Sequence, residues 1–300
     1  HTPAAAAGSD LGKIASNAAM DDLHTKRYKG IASVPDAIRG KVEWLFKGLT
    51  QEQKANLWID EVAVYSVTQS QIATQITDIT AKALRAAGVT VREAVVVDAM
   101  ACVGGNTLSF AAAFRETHAV EISSTRHECL AHNIQVMGLE NRVRTHCGDA
   151  LLAIATAKAS TATATATAAD AAAASLSSAT ASAGGSAVSG TIPVLPSRVD
   201  AVFFDPPWGG PEYASMPSID MYVGSQHLGD ALRVCSGWAR LAIVKAPMNF
   251  NIQGMLDRAG GVASLTQSPI RLRKMQLLTV ALSATATAEL PPAAKRARAQ

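Results

Sequence analysis

Three apolar runs in this chain each end at a carboxylate, a fourth strand-like segment ends near one, and that pattern leaves few possible folds. Ala94-Val-Val-Val97 stops at Asp98, His118-Ala-Val120 at Glu121 and Val199-Asp-Ala-Val-Phe-Phe204 at Asp205, while Val143-Arg-Thr-His-Cys147 ends near Asp149. Short continuous apolar runs suit strands buried on both faces. Helical patterns lie between them. Thr107 starts one, and Arg126 to Met137 places Leu130, Ile134 and Met137 along one face before Gly138 closes the segment. Leu241-Ala-Ile-Val244 reads as a fifth strand, and Met275 to Leu282 as a last one, paired with Ile270-Arg-Leu-Arg273. Strands alternating with helices predict an α/β fold with a doubly wound, mostly parallel, seven-stranded sheet. The carboxylates then share the carboxyl edge of that sheet, where open α/β sheets bind ligands.

The flanking segments differ in composition. Residues 1–20 are rich in Ala, Ser and Gly and read as disordered, and residues 21–88 read as a small helical N-terminal extension. Within it, Ser70 to Ala87 is helical, with Ile72, Ile76, Ile79 and Leu84 near one face and Gly88 as its stop. The main domain covers 89–283. It is interrupted at 153–191 by Thr-Ala repeats and Ser/Gly clusters, expected to be a disordered insertion, and a basic tail follows at 284–300. Trp44, Trp58 and Trp238 are expected to be packing residues.

Several classes drop out. No run of about 18 apolar residues is present to span a membrane. The N-terminus lacks the basic flank and apolar stretch of a signal peptide, and the absence of an initiator Met suggests a piece of a longer protein. The four cysteines form no C-x-x-C pair, so neither a zinc site nor a disulfide framework is expected. The net charge is only +3, yet Ala239 to Gln300 carries nine Lys/Arg against Asp257 and Glu289, a net of +7. That asymmetry suits a polyanionic partner.

Asp98-Ala-Met-Ala-Cys-Val-Gly-Gly-Asn-Thr107 follows a buried strand and opens a helix. It is neither a dinucleotide G-x-G-x-x-G nor a phosphate loop, because no Gly-Lys-Ser/Thr follows. Its small residues allow close backbone approach by a ligand. Asp98 is placed to take an amino-acid ammonium, Glu121 to take two ribose hydroxyls, and Asp149 to accept from an adenine amine. Together these describe a site for S-adenosylmethionine, with no metal.

Asp205-Pro-Pro-Trp208 carries the chemistry. A strand that empties into Asp-Pro-Pro-aromatic is the amino-methylating signature of S-adenosylmethionine enzymes. An exocyclic amine on a base is a poor nucleophile because its lone pair is delocalised into the ring. Two acceptors on the NH2 pull it towards sp3 and free that pair. Asp205 can supply one acceptor and the Pro206 carbonyl the other, while Trp208 offers a flat face for the base. Proline at both positions stiffens the turn.

With these motifs in this order, the chain resembles trimethylguanosine synthases, the RNA cap guanosine-N2 methyltransferases. The resemblance rests on Tyr65-Ser-Val-Thr68, Val97-Asp-Ala99, Val103-Gly-Gly-Asn-Thr107, Cys147-Gly-Asp149 and Pro206-Pro-Trp-Gly-Gly-Pro-Glu-Tyr213, and covers about Asp22 to Leu282 without the Ala/Thr insertion. It implies a Rossmann-like methyltransferase that moves methyl from S-adenosylmethionine to N2 of a 7-methylguanosine cap, releasing S-adenosylhomocysteine. Asp205, Pro206 and Trp208 would be catalytic. Thr68, Asp98, Met100, Gly104, Asn106, Thr107, Glu121 and Asp149 would hold the cofactor. Ser66, Pro207, Trp208, Tyr213, Lys26, Arg27, Lys245 and Asn249 would meet the substrate. Among them, Lys26, Arg27 and Tyr213 would lie at the triphosphate, and Lys245 would track RNA phosphates with Arg271, Arg273 and Lys274. The implied setting is a monomeric catalytic domain acting on small nuclear or nucleolar RNA in the nucleus.

The chain departs from the family pattern at Cys102, where Gly is usual, at Gln69-Ser70, where Pro-Glu is usual, at Asp205, where Ser is frequent, and at Met248, where a basic residue is expected. Two other readings use the same residues: an amino-methyltransferase on adenine or cytosine, favoured by Asp205, and a non-catalytic cap- or RNA-binding module, suggested by Cys102 and Met248.

Overall fold

The computed structural model describes residues 25–160 and 193–284. The segments 1–20 and 161–191 and the tail after 284 lie outside the described residues. The N-terminal extension is not purely helical. Strands β1 (Arg27–Lys29) and β2 (Trp58–Asp60) pair antiparallel around helices α1 (Asp36–Leu45) and α2 (Gln51–Asn56), and the short α3 (Ala63–Ser66) follows. Lys26-Arg-Tyr-Lys29 falls within the segment expected to be helical. Strand alternation instead buries Tyr28 opposite Ile59 and leaves Arg27 and Lys29 over the Trp58 ring, at 5.6 and 4.6 Å from its centroid.

Helix α4 (Ser70–Ala86) buries Ile72, Ile76 and Leu84. The Gln69 side chain caps it, accepting from the Gln71 and Ile72 amides at 3.0 and 3.2 Å. The departure at 69 therefore has a local purpose. Gly88, at φ +77°, ends the helix as expected.

The main domain then alternates β3 (Val95–Asp98), α5 (Gly105–Ala113), β4 (Glu116–Glu121), α6 (Ser124–Val136) and β5 (Val143–Cys147). A helix over 150–160, here α7, comes next, followed by β6 (Val199–Phe204) and a small hairpin of β7 (Tyr222–Val223) and β8 (Gln226–His227). The chain finishes with α8 (Leu228–Cys235), β9 (Ala239–Pro247), α9 (Ile252–Ala259), β10 (Ala263–Leu265), β11 (Ile270–Leu272) and β12 (Met275–Leu282). Seven strands cross the sheet in the order β10-β12-β9-β6-β3-β4-β5, and β11 adds an eighth by pairing with β12. The five from β9 to β5 are parallel, and β12 runs antiparallel to β9. The protein thus has the doubly wound α/β fold of the class I methyltransferases.

Helix α7 overturns part of the expected insertion. Residues 153–160 are ordered on the sheet, with Ala150, Leu151, Ala153, Ile154 and Ala157 buried in the main core. Lys158 caps the end of α8, donating to the carbonyls of Val234 and Ser236 at 2.8 and 2.7 Å. Alanine is the best helix former, and Leu151 with Ile154 supplies just enough apolar stripe. The Thr-Ala composition beyond 160 masked it. Trp238 is buried as expected, but Trp44 is 47% exposed and is not a packing residue.

The strand order places the site. From β3 the chain winds outward through β4 to β5, then returns to β6 on the other side of β3. The crevice outside the carboxyl ends of β3 and β6 is the topological switch point, where such sheets bind ligands. The extension is locked to this edge by Asn133, fully buried on α6. Its amide donates to the carbonyls of Trp58 and Val103 and accepts from the Trp58 N–H, all within 3.0 Å.

Candidate active site

Three separate segments meet at one carboxylate, and a fourth reaches it through Thr68. Strand β6 ends at buried Phe204, and Asp205 follows it into the crevice. The register pairs Phe204 with Val244, so Lys245 on β9 lies beside Asp205. Its ammonium donates to Asp205 Oδ2 at 2.6 Å, with the two side chains only 8% and 13% exposed. Thr68 Oγ1, from the segment leading into α4, donates to the same oxygen at 3.1 Å. Thr68 in turn accepts from Asn106 Nδ2 at 2.9 Å and from Lys245 at 3.0 Å. Asn106 lies in the first turn of α5. Thr68 was expected at the cofactor; it also ties the cofactor loop to the Asp-Pro-Pro-Trp loop.

This close approach needs Gly105. A Cβ there would fall 2.6 Å from the Val67 side chain and 2.7 Å from the Thr68 carbonyl oxygen. Gly104, at φ +105°, makes the left-handed turn into α5.

Asp98 is fully buried at the end of β3. Its Oδ2 accepts from Thr107 Oγ1 at 2.7 Å, and its Oδ1 is buried with no hydrogen-bond partner. Burial, reinforced by the nearby Asp205 charge, pushes its carboxyl up to about 7. Asn106 Oδ1 is likewise buried without a donor. Two orphaned acceptors at the start of α5 fit a ligand that brings an ammonium. The α5 N-terminus, which no side chain caps, offers N–H groups to a carboxylate. The residues present therefore fit the amino-acid end of S-adenosylmethionine. Met100, half-buried on the loop, packs against the main core.

Glu121 and Asp149 have structural partners that their spacing did not reveal. Glu121 Oε2 accepts from the Cys102 N–H, and Oε1 accepts from the Ser123 N–H, both at 2.9 Å, and from Arg126 at 3.2 Å. A carboxylate has about four lone-pair positions, so three are engaged in holding the loop. Asp149 Oδ1 caps α7 through the Leu151 and Leu152 amides at 2.8 and 3.0 Å, which leaves Oδ2 as its acceptor for a ligand.

Cys102 takes the left-handed conformation at φ +52°, the kind of position that favours glycine. Burial and the Glu121 charge push its thiol well above the usual range, which makes it a poor nucleophile. The strain should be measurable. C102G is expected to be more stable than C102A by about 1 kcal/mol, since both lose the sulfur and only glycine relieves the left-handed strain. Equal denaturation midpoints for the two variants would remove the strain argument.

The substrate side is built from Trp208 and Tyr213. Their rings meet edge-on, 5.2 Å apart at 80°, and Lys245 Nζ lies 5.7 Å from the Trp208 ring centroid. Trp208 Nε1 is buried without a partner. Pro206 is buried and Pro207 exposed, and Gly209 and Gly210, both at positive φ, turn the chain after the indole. Tyr213 lines a cavity of about 230 Å³ with Ala214, Met248, Asn249 and Lys274.

Five of the substrate candidates have partners within the protein itself. Lys245 is buried and ion-paired with Asp205 rather than turned to RNA phosphates. Asn249 pins the loop, its amide donating to the carbonyls of Tyr213 and Met216 at 2.8 Å each. Arg27 pairs with Glu128 at 2.5 Å, and the Lys26 ammonium lies over the Tyr28 ring, 5.5 Å from its centroid; no contact joins either to Tyr213. Ser66 is exposed, and its hydroxyl donates back to the Val62 carbonyl. The sequence shows a lysine inside an otherwise apolar strand, two residues before its end, but only the sheet register brings it level with Asp205.

A family model for the RNA cap guanine-N2 methyltransferases matches residues 93–255, more than half of the chain. The chain belongs to the RNA cap guanine-N2 methyltransferase family. The matched span holds Asp98, Asn106, Glu121, Asp149, Asp205, Trp208 and Lys245, so the family fingerprint and the network around Asp205 coincide. Thr68 and the extension lie before it. As a member of this family the protein is an S-adenosylmethionine-dependent methyltransferase acting on RNA. The uncharacterized protein L320 of Acanthamoeba polyphaga mimivirus is 21% identical over 254 residues, covering 79% of this chain and 83% of its own. Among solved structures, PH1948 of Pyrococcus horikoshii, a candidate RNA methyltransferase, is 12% identical, with 89% of this chain and 98% of that one covered at a TM-score of 0.44. Trm5 of Methanocaldococcus jannaschii, solved with adenosine, is 12% identical, with 76% and 53% covered at 0.40.

Proposed function

We propose that this protein methylates the exocyclic N2 of 7-methylguanosine in an RNA 5′ cap, leading to 2,2,7-trimethylguanosine. The observation that carries this reading is the pairing of a half-buried indole with a carboxylate that has one oxygen to spare. Asp205 Oδ2 is taken by Lys245 and Thr68, which leaves Oδ1 as the acceptor for a base amine, while Lys245 also lies against the Trp208 ring. The 7-methylated guanine is a cation, so stacking on indole gains about 1–2 kcal/mol over the neutral base. Lys245 does not spoil this, because its charge is matched by Asp205.

S-adenosylmethionine, held by Asp98, Asn106, the α5 N-terminus, Glu121 and Asp149 Oδ2, supplies an electrophilic methyl group. The chain's own contribution is positioning. Asp205 Oδ1 and the Pro206 carbonyl accept the two N2 hydrogens and draw the lone pair out of the ring. Trp208 fixes the base plane. The methylated amine cation is acidic, and Asp205 or water takes its proton, so no strong base is required. A small nuclear or nucleolar RNA, met in the nucleus, is the substrate this reading suggests.

The acid at 205 also favours a second reading, amino-methylation of adenine or cytosine. One experiment separates the two. The protein is incubated with methyl-labelled cofactor and RNA capped with either 7-methylguanosine or guanosine, and the labelled nucleoside is identified. Label at N2 on the 7-methylated cap alone is expected. W208A should lower the preference for the methylated cap roughly tenfold, the size of the lost cation–π contribution. Label on internal adenine or cytosine would replace the cap reading with the second one.

A further inference from the structure

Tyr65 is the most exposed large aromatic among the described residues, at 72%, and the reading above leaves it unused. It stands on α3, three residues before Thr68, whose hydroxyl is 3.1 Å from Asp205. Three Cα–Cα steps of about 3.8 Å keep it within about 11 Å of Thr68 along the backbone. The residue therefore stands close in the chain to the site, on the extension that also carries Thr68.

Its surroundings suit a nucleotide. Lys41 on α1 places its ammonium 3.8 Å from the Tyr65 ring centroid and has no acidic partner among the described residues. Trp44 lies three residues further along α1, on the same side of the helix, and is 47% exposed. An aromatic, a cation and a second aromatic in a row form the usual platform for single-stranded nucleic acid: each ring takes a base, and the cation takes the phosphate between.

We propose that Tyr65 stacks the base of the first nucleotide after the cap, with Lys41 on its phosphate. The proposal rests on the cap reading for the register of the bases, since a cap base held at Trp208 hands its triphosphate outward to the next nucleoside.

The test is to titrate the full chain with 7-methyl-GTP and with the dinucleotide m7GpppG, and to repeat both with Y65A and Y65F. The parent should bind the dinucleotide about 5- to 10-fold more tightly than 7-methyl-GTP, the gain expected from one stacked base. Y65A should bring the two ligands to equal affinity, and Y65F should keep the gain. A parent that shows no gain, a Y65A that retains it, or a Y65F that loses it would overturn the proposal. So would a Y65A that weakens both ligands equally, because the ring would then serve the cap base itself. Failure of the cap reading looks different: the parent would not prefer 7-methyl-GTP to GTP, although GpppG could still gain over GTP through Tyr65.

Discussion

At pH 8 and without cofactor, D98N is expected to be more stable than the parent, while binding S-adenosylhomocysteine at least a hundredfold more weakly. Asp98 is fully buried, and its carboxyl is pushed from an ordinary 3.8 to about 7, chiefly by desolvation. A raised carboxyl pKa gives a definite sign. Below pH 3.8 the group is neutral in both states and costs nothing. As pH rises towards 7 the unfolded chain loses the proton and the folded chain keeps it, so the fold loses up to about 1.4 kcal/mol per pH unit. Above 7 the loss levels off at roughly 4 kcal/mol on the same arithmetic. Asparagine keeps the shape and can still accept from Thr107, but it never has to ionise. Denaturant titrations at pH 5 and pH 8 should therefore show the parent losing stability across this range, with D98N much flatter.

Ligand binding should show the opposite preference. An ammonium is held by the carboxylate, so the parent's affinity should rise about tenfold per unit up to pH 7 and then stay level. Removing one partner of a buried charge pair costs 2–5 kcal/mol or more, which sets the expected hundredfold loss in the variant. Parallel stability profiles would show that the orphaned Oδ1 bears no desolvation cost. Equal affinity for S-adenosylhomocysteine would remove Asp98 from the ammonium site. The trade-off has a physical basis: an acceptor poised for an absent ammonium is a strained arrangement in the empty protein.

What could be read in the sequence was whatever depends on local pattern. Strand β6 has the bounds its apolar run suggests, because an apolar run with an acid at its end carries both pattern and terminus. Asp98, Asp205 and the Gly104–Gly105 turn were legible for the same reason. What stayed hidden depends on partners far away in sequence. Glu121 looked like a ribose ligand, but its oxygens are shared with Cys102, Ser123 and Arg126, and only the fold shows this competition. Lys245 looked like one more cation in a basic C-terminal third. Sheet register alone places it against Asp205. Helix α7 was obscured by the Thr-Ala composition that follows it, and β1 by its charges. In both cases a few buried apolar side chains outweigh the bulk composition.

K245M should be the most destabilising single change at the site, by about 3 kcal/mol, with loss of most activity. It leaves the Asp205 carboxylate in a crevice where its side chain is only 13% exposed, with Thr68 as its one remaining donor. Removing one partner of a buried ion pair costs about 3–5 kcal/mol, and the surviving Thr68 hydrogen bond argues for the lower end. Methionine fills the volume of the lysine stem, so a cavity contributes little. The double variant D205N/K245M removes both charges. It should recover most of the stability, because an asparagine among hydrogen-bonding neighbours carries no unpaired charge, but it should not recover turnover, because the amine then lacks its anionic acceptor. The coupling energy from the four denaturation curves should be 2 kcal/mol or more in favour of the intact pair. Additive losses would mean that Lys245 and Asp205 act independently. Lys245 would then hold the crevice open by its bulk, and the oxygen left free on Asp205 would not owe its orientation to the ammonium on the other.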